Sequence, residues 1–210
     1  MGYGIPPRPR FLESALQGLA FWIGHRHSLF HAYPLPEGAV VSEACNLIQA
    51  NIPDSLQLRP ECQFKQIIPP SEKLEGVGRL ARVDLAIFSK HDKVGKLPDY
   101  KRIQFAVEVK RGMASRAAID EDLKRLYRFL MATPTQARAF LIVVSEAKSP
   151  NRFVLDGKSR LATNPIPGVN GCFRVRRTVK ATASFSNKKR AHYVCLLEVF
   201  CARPTPLPKI

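Results

Sequence analysis

Two apolar segments, Leu80-Ala-Arg-Val-Asp84-Leu-Ala-Ile-Phe88 and Ile103-Gln-Phe-Ala-Val-Glu108-Val-Lys110, carry charged residues where a strand normally buries apolar ones. Both are rich in β-branched or aromatic residues and lie between polar segments that contain Gly or Pro, which predicts β-strands. Alternation along a strand puts Glu108 and Lys110 on one face. If the two strands pair as a hairpin, Asp84, Glu108 and Lys110 can converge at one end of the sheet. Such buried charges are costly unless they are paired or hold a metal, so this end is the predicted functional site.

The apolar spacing on either side predicts the remaining elements. Residues 37–51 have helical spacing that ends before Pro53, and residues 61–68 fit a first strand. A second helix is predicted after Ser115, a suitable N-cap, and the nearly continuous apolar run 139–145 is typical of a strand covered on both faces. The predicted order is therefore helix, three strands, helix and strand.

Asp84, followed 24 residues later by Glu108-Val-Lys110, resembles the motif of the PD-(D/E)XK nuclease superfamily, which has the restriction-endonuclease-like fold. The proline that often precedes the aspartate in that superfamily is replaced here by Val83. The resemblance covers about residues 37–146, and the predicted order of elements is that of the superfamily's αβββαβ core. The expected fold class is thus α/β, of the mixed-sheet α+β kind.

The chain divides into three predicted parts around that core. Residues 1–36 form an N-terminal helical arm that packs on the core, residues 37–149 form the nuclease-like core, and residues 150–210 form a basic β-hairpin extension with a tail. In the arm, the apolar run 18–24 is too short to span a bilayer, so no membrane association is expected.

Composition indicates the kind of partner and compartment. The chain has 210 residues, 45% of them hydrophobic, and a formal net charge of +16, which points to a polyanionic partner. Nucleic acid is the leading candidate, and an anionic membrane surface is the competing one. The five cysteines are odd in number and include no C-x-x-C pair, which is typical of reduced thiols and of a cytoplasmic protein.

The resemblance implies a metal site and roles for its residues. Asp84 and Glu108 would bind Mg²⁺, with the Val109 carbonyl as a possible third ligand and Mn²⁺ expected to substitute. Lys110 would position the attacking water or neutralise charge on the scissile phosphate. Glu43, on the predicted helix before the first strand, is placed to complete the site; the alternative is an ordinary residue at the edge of a helix face.

A long basic segment near the C-terminus is the predicted nucleic-acid-binding surface. Between Asp156 and Glu198 the sequence holds nine basic residues and no acidic one. Alternation would put three of them on one face of a strand, and a basic turn would join that strand to the next. A solvated charged face is the alternative interpretation. The predicted phosphate contacts are Arg174, Arg176, Lys180, Lys188, Lys189 and Arg190.

These patterns predict metal-dependent hydrolysis of phosphodiester bonds, in the first place by a DNA endonuclease of restriction, defence or repair type. An RNA-directed nuclease remains an alternative because a basic hairpin would serve RNA equally well. A non-catalytic nucleic-acid-binding subunit on the same fold is the other alternative. The enzyme could act as a homodimer or as a subunit of a larger complex.

Overall fold

The computed structural model describes residues 9–30, 35–90, 97–133, 136–182 and 191–201. The helices in these ranges are α1 (Arg10–Phe30), α2 (Glu37–Asn51), α3 (Phe64–Ile67), α4 (Asp99–Arg102) and α5 (Arg116–Ala132). The strands are β1 (Leu56–Gln63), β2 (Arg82–Ser89), β3 (Ile103–Arg111), β4 (Arg138–Ser145), β5 (Val154–Leu155), β6 (Lys158–Ser159), β7 (Asn164–Pro165), β8 (Gly171–Thr182) and β9 (Ala191–Cys201).

Seven of these strands form one mixed sheet in the order β1-β2-β3-β4-β9-β8-β7. β3 and β4 are parallel and are connected through α5, whereas the other neighbours in the sheet are antiparallel. β5 and β6 form a separate two-stranded ribbon. The mixed sheet with helices confirms the α+β class, and the antiparallel pairing of β2 with β3 confirms the predicted hairpin.

The first strand lies elsewhere than predicted. The apolar pattern predicts it at residues 61–68, but β1 spans Leu56–Gln63 and the next four residues form α3. Among the strands that the structure describes, β1 pairs only with β2, which makes it an edge strand, where Pro60 can lie without breaking a ladder on its outer side. Because proline is rare inside strands, the sequence around Pro60 does not indicate that β1 extends across this position.

Each face of the sheet is covered by helices, and an apolar cluster lies under each cover. Under α1 and α2, side chains such as Leu16 and Ile48 pack with the Val107 and Ile142 side chains of the sheet. Under α5, Leu126 and neighbouring residues pack with the other face. α5 begins as predicted, since the Ser115 side chain accepts a hydrogen bond from the Ala118 N–H at 3.1 Å. Residues 139–145 of β4 are buried throughout, as expected for a strand covered on both faces.

The arm and the hairpin extension belong to the same body as the core. α1 packs against α2, β8 and β9, as predicted for a helix that covers the core. β8 and β9 form the predicted antiparallel hairpin, and β9 pairs with β4, so the extension continues the central sheet. Within the described ranges, no helix is long and apolar enough to cross a membrane.

Candidate active site

Asp84 and Glu108 meet at the end of the sheet where β2 begins and β3 ends. The register that pairs Leu85 with Val107 places Asp84 opposite Glu108 on the neighbouring strand. Asp84 Oδ2 accepts a hydrogen bond from the Val109 N–H at 2.7 Å, and the two carboxyl groups are close enough for each to shift the pKa of the other. Strand alternation and antiparallel pairing thus bring together the two predicted metal ligands, which we call the carboxylate pair.

Burial and mutual repulsion make the carboxylate pair unfavourable in its fully ionised form. Glu108 is only 3% exposed, and burial raises its pKa well above the usual range, with a further increase from the Asp84 charge. Burial also raises the pKa of Asp84, although the hydrogen bond from Val109 opposes that increase. A proton shared by the two carboxyl groups, or a cation bound between them, would offset this cost.

Lys110 lies next to the carboxylate pair and is held by two other acids. Its Nζ is 2.9 Å from Glu37 Oε1 on α2 and 3.2 Å from Asp122 Oδ2 on α5. Burial alone would lower the pKa of Lys110, but the hydrogen bond to Glu37 and the Asp122 charge outweigh burial and raise it. The side chain is therefore an ammonium group with a position fixed from both sides of the sheet's end.

α5 contributes a second cation, Arg125, to the same site. Its Nε lies 3.1 Å from Glu108 Oε1, and its Nη2 hydrogen-bonds Asp122 Oδ1. Asp122 thus contacts both Arg125 and Lys110, and burial raises its pKa although these two cations oppose the increase. The helical pattern predicts that Asp122 and Arg125 lie on one helix, but it does not predict that this helix brings them to the site. The available signal was their i, i+3 spacing near the start of a helix that follows the Glu-x-Lys strand.

Glu37, and not Glu43, is the α2 residue that contacts the site. Within the described ranges, no ion pair or side-chain hydrogen bond connects Glu43 to the carboxylate pair or to Lys110. The two glutamates are six positions apart, so their directions differ by about 120° around the helix axis. Glu37 reaches Lys110 from the first turn of α2, whereas Glu43 lies more than one turn further along the helix and on a different side of it.

Arg174 and Arg176 surround a buried glutamate instead of lining an open surface. Glu198 on β9 is 4% exposed, and its two carboxylate oxygens contact Arg138, Arg174 and Arg176. The distances from these arginines are 2.7, 3.4 and 3.2 Å, respectively. We call these four residues the Glu198 cluster. It lies near the start of β4, away from the carboxylate pair, which adjoins the end of β3.

The expectation that Arg174, Arg176 and Lys180 share a face is wrong because β8 contains a β-bulge. The register with β9 shifts between Val175 and Arg177, so one extra residue, Arg176, interrupts the alternation. Consequently Val175 packs in the cluster under α5, whereas Val179 packs in the cluster under α1 and α2. Lys180 is exposed and points to the face opposite that of Val179. The other predicted contacts, Lys188, Lys189 and Arg190, lie outside the described residues.

The carboxylate pair is the part of this site that could hold a metal ion. Within the described ranges, no group of three or more His, Cys, Asp or Glu side chains is arranged to hold a metal ion. The carboxylate pair nevertheless fits Mg²⁺, which commonly binds to one or two carboxylates and completes its shell with water and phosphate oxygens. Glu108 Oε1 is buried and has no hydrogen-bonding partner, although the Arg125 charge is near. The contact seen for Val109 uses its N–H group, so a ligand role for its carbonyl stays a prediction.

Comparisons of the chain with protein-family models, with curated proteins and with solved structures found no match. The function is therefore inferred from the geometry of the site and from the resemblance of its motif.

Proposed function

We propose that this protein is a metal-dependent nuclease that hydrolyses phosphodiester bonds, in the first place as a DNA endonuclease. The observation that carries the proposal is the convergence of Asp84 and Glu108 beside an ammonium group, Lys110, that two other acids hold in place. A core that only needed stability would gain little from two abutting buried carboxyl groups. Such an arrangement suits a site that binds a cation together with a phosphate.

The topology around the site supports the same proposal. The elements α2, β1, β2, β3, α5 and β4 follow the order of the αβββαβ core, with the small helices α3 and α4 in the connections. The motif residues lie on the two central antiparallel strands of that unit, and β4 runs parallel to β3. This is the arrangement that the resemblance to the PD-(D/E)XK superfamily implies.

A divalent cation, Mg²⁺ or Mn²⁺, would be held by Asp84, Glu108 and the predicted Val109 carbonyl, and would activate a water molecule and neutralise phosphate charge. The chain's own residues supply the rest. Lys110 presents a fixed positive charge next to the reacting phosphate, where it stabilises negative charge that develops in the transition state. Glu37 and Asp122 keep this ammonium group in position, so that little reorganisation is needed when the substrate binds.

The partner in this proposal is DNA, with RNA as the alternative substrate. The net charge of +16 favours a polyanion of either kind. All five cysteines carry free thiols, which suits the reducing cytoplasm. Action as a homodimer or as a subunit of a larger complex is compatible with a core of this size, and a measurement of mass in solution shows whether the purified protein is a dimer.

The test is incubation of the purified protein with closed-circular DNA, linear DNA and single-stranded RNA, each with Mg²⁺, Mn²⁺ or EDTA. Conversion of closed circles to nicked or linear products in the presence of metal is the expected result. Cleavage of RNA but not of DNA would show that the protein is the alternative, an RNA-directed nuclease. Binding of nucleic acid without cleavage under any of these conditions would refute the nuclease and indicate a binding subunit.

Two glutamate substitutions on α2 distinguish the predicted from the observed member of the site. Glu37→Gln is expected to lower the cleavage rate about tenfold, because the acceptor of the Lys110 hydrogen bond loses its negative charge, at a cost of about 1.4 kcal/mol. Glu43→Gln serves as the matched control on the same helix and is expected to leave the rate unchanged. Single-turnover rates measured across a Mg²⁺ titration check both. If Glu43→Gln needs more Mg²⁺ for half-maximal activity and Glu37→Gln has the wild-type rate, Glu43 and not Glu37 is the member of the site.

A further inference from the structure

A recess lies between α5 and the loop that leads into β2. It is lined by two arginines of α5, Arg125 and Arg128, and by the loop residues Gly76, Gly78 and Ala81. The arginines are three positions apart, so their side chains leave the same face of the helix. Arg125 also contacts Glu108, and it therefore connects the recess to the carboxylate pair. We call this feature the α5 recess.

Arg128 is a cation without an ion-pair partner in the described structure. It forms no ion pair with any residue in the described ranges, although Arg125, one turn earlier, contacts two carboxylates. The acid in the recess, Glu121, pairs with Lys124 at 2.6 Å, and Arg128 acts on it only through its charge, from beyond ion-pairing distance. Glu72 and Glu75 line the adjoining hollow on the other side of Arg128, and neither lies within ion-pairing distance of it. A partly buried, unpaired guanidinium is suited to an anionic ligand.

The loop is shaped to let this guanidinium lie close to the backbone. Gly76 has a φ of +67°, a conformation that favours glycine, and a Cβ at this position would lie 3.4 Å from Arg128 Nη1. At Gly78 a Cβ would meet no atom within 4 Å, so the rim of the recess is open there. A ligand can therefore approach Arg128 past Gly76 and Gly78, which carry no side chains.

We infer that the α5 recess binds a backbone phosphate of the nucleic acid, next to the phosphate that reacts at the carboxylate pair. Arg128 is the principal ligand, and Arg125 lies between the two phosphate positions. The inference rests on the proposed nuclease function for the identity of its ligand, a phosphodiester. The basic residues that the sequence pattern assigns to this task belong to β8 or to the segment that follows it in the sequence, so the recess gives the substrate a different path across the protein.

Binding measured without chemistry tests the recess. A fluorescently labelled duplex is titrated with protein in EDTA over a series of salt concentrations, and anisotropy gives the Kd. Arg128→Gln is expected to raise the Kd about tenfold, as loss of one charged hydrogen-bonded contact implies. The slope of log affinity against log salt should fall by about 0.9, the value for one phosphate contact. Arg128→Lys keeps the charge and should keep the wild-type slope.

Lys101→Gln is the matched control, because Lys101 is an exposed cation on α4, at the opposite end of β3 from the site. Its Kd and salt slope should equal those of the wild type. Unchanged binding in Arg128→Gln would overturn the inference, and so would an equal loss in Lys101→Gln, which would indicate a diffuse charge effect. Thermal unfolding of each variant shows that the fold is retained.

The outcomes separate the recess from the nuclease. A wild-type protein that binds the duplex through Arg128 but never cleaves it contradicts the proposed nuclease function and supports phosphate binding in the α5 recess. A wild-type protein that cleaves DNA while Arg128→Gln binds normally contradicts the recess alone. Absence of any binding to duplex and to RNA by the wild type contradicts both.

Discussion

Replacement of Asp84, Glu108 or Lys110 by alanine is expected to lower phosphodiester cleavage by at least about a hundredfold. Asp84→Ala and Glu108→Ala each remove half of the carboxylate pair, and Lys110→Ala removes the ammonium group beside it. The measurement is the single-turnover rate of conversion of closed-circular DNA at saturating protein and metal. Because each group acts in the same step, the double variant should be little slower than the slower single variant.

Folding should survive these substitutions, which makes the activity loss interpretable. Each substitution removes a carboxyl group whose ionised form burial makes unfavourable, and Asp84→Ala also removes the charge that helps to raise the pKa of Glu108, so the metal-free protein should not lose stability in Asp84→Ala or Glu108→Ala. Thermal unfolding in EDTA checks this, with Glu75→Ala as the control for loss of an exposed carboxylate. A Glu108→Ala protein that cleaves at the wild-type rate would show that the site is elsewhere.

Glu198→Ala is expected to lower the free energy of unfolding by about 3 kcal/mol, the cost of breaking a buried ion pair by removal of one partner. The substitution leaves Arg138, Arg174 and Arg176 close together without their shared carboxylate. Urea denaturation followed by circular dichroism measures the change. The exposed Glu75→Ala serves again as the control and should change the free energy of unfolding by less than about 0.5 kcal/mol.

The Glu198 cluster also changes the effect that we expect from substitution of the basic residues on β8. Arg174→Gln and Arg176→Gln should reduce stability and leave the salt dependence of DNA binding unchanged, because both guanidinium groups are engaged with Glu198. Lys180→Gln, at an exposed position, is the substitution on β8 that can remove a phosphate contact. A loss of about three units from the salt slope in the triple variant would instead show that all three residues contact phosphates.

The residues that could be predicted are those whose positions depend on local periodicity. Strand alternation and hydrophobic pattern were sufficient to place Glu108 and Lys110 on one face, and the antiparallel hairpin brought Asp84 opposite Glu108. The helix cap at Ser115 and the two long strands near the C-terminus follow from equally local signals. In each case the pattern within a few residues is enough to decide the conformation.

The rest depends on how distant elements pack, and single-strand patterns do not contain that information. Glu37 and Asp122 reach Lys110 because α2 and α5 cross the end of the sheet on its two faces. The bulge at Arg176 adds one residue to β8 but not to its partner strand. The alternating pattern in the sequence gives no indication of this extra residue. A helix that presents Glu37 to the site looks, in sequence, equally able to present Glu43.

The pairing of β9 with β4 has a consequence for how the chain can be divided. β4 would be the last strand of a unit that ended after the nuclease-like core, and residues 139–145 would then form a long, apolar, unpaired edge. Edges of that kind recruit strands from other molecules and cause aggregation. β9 closes this edge along seven consecutive residue pairs, from Ala139 to Ser145. The hairpin therefore covers an edge that would otherwise favour aggregation.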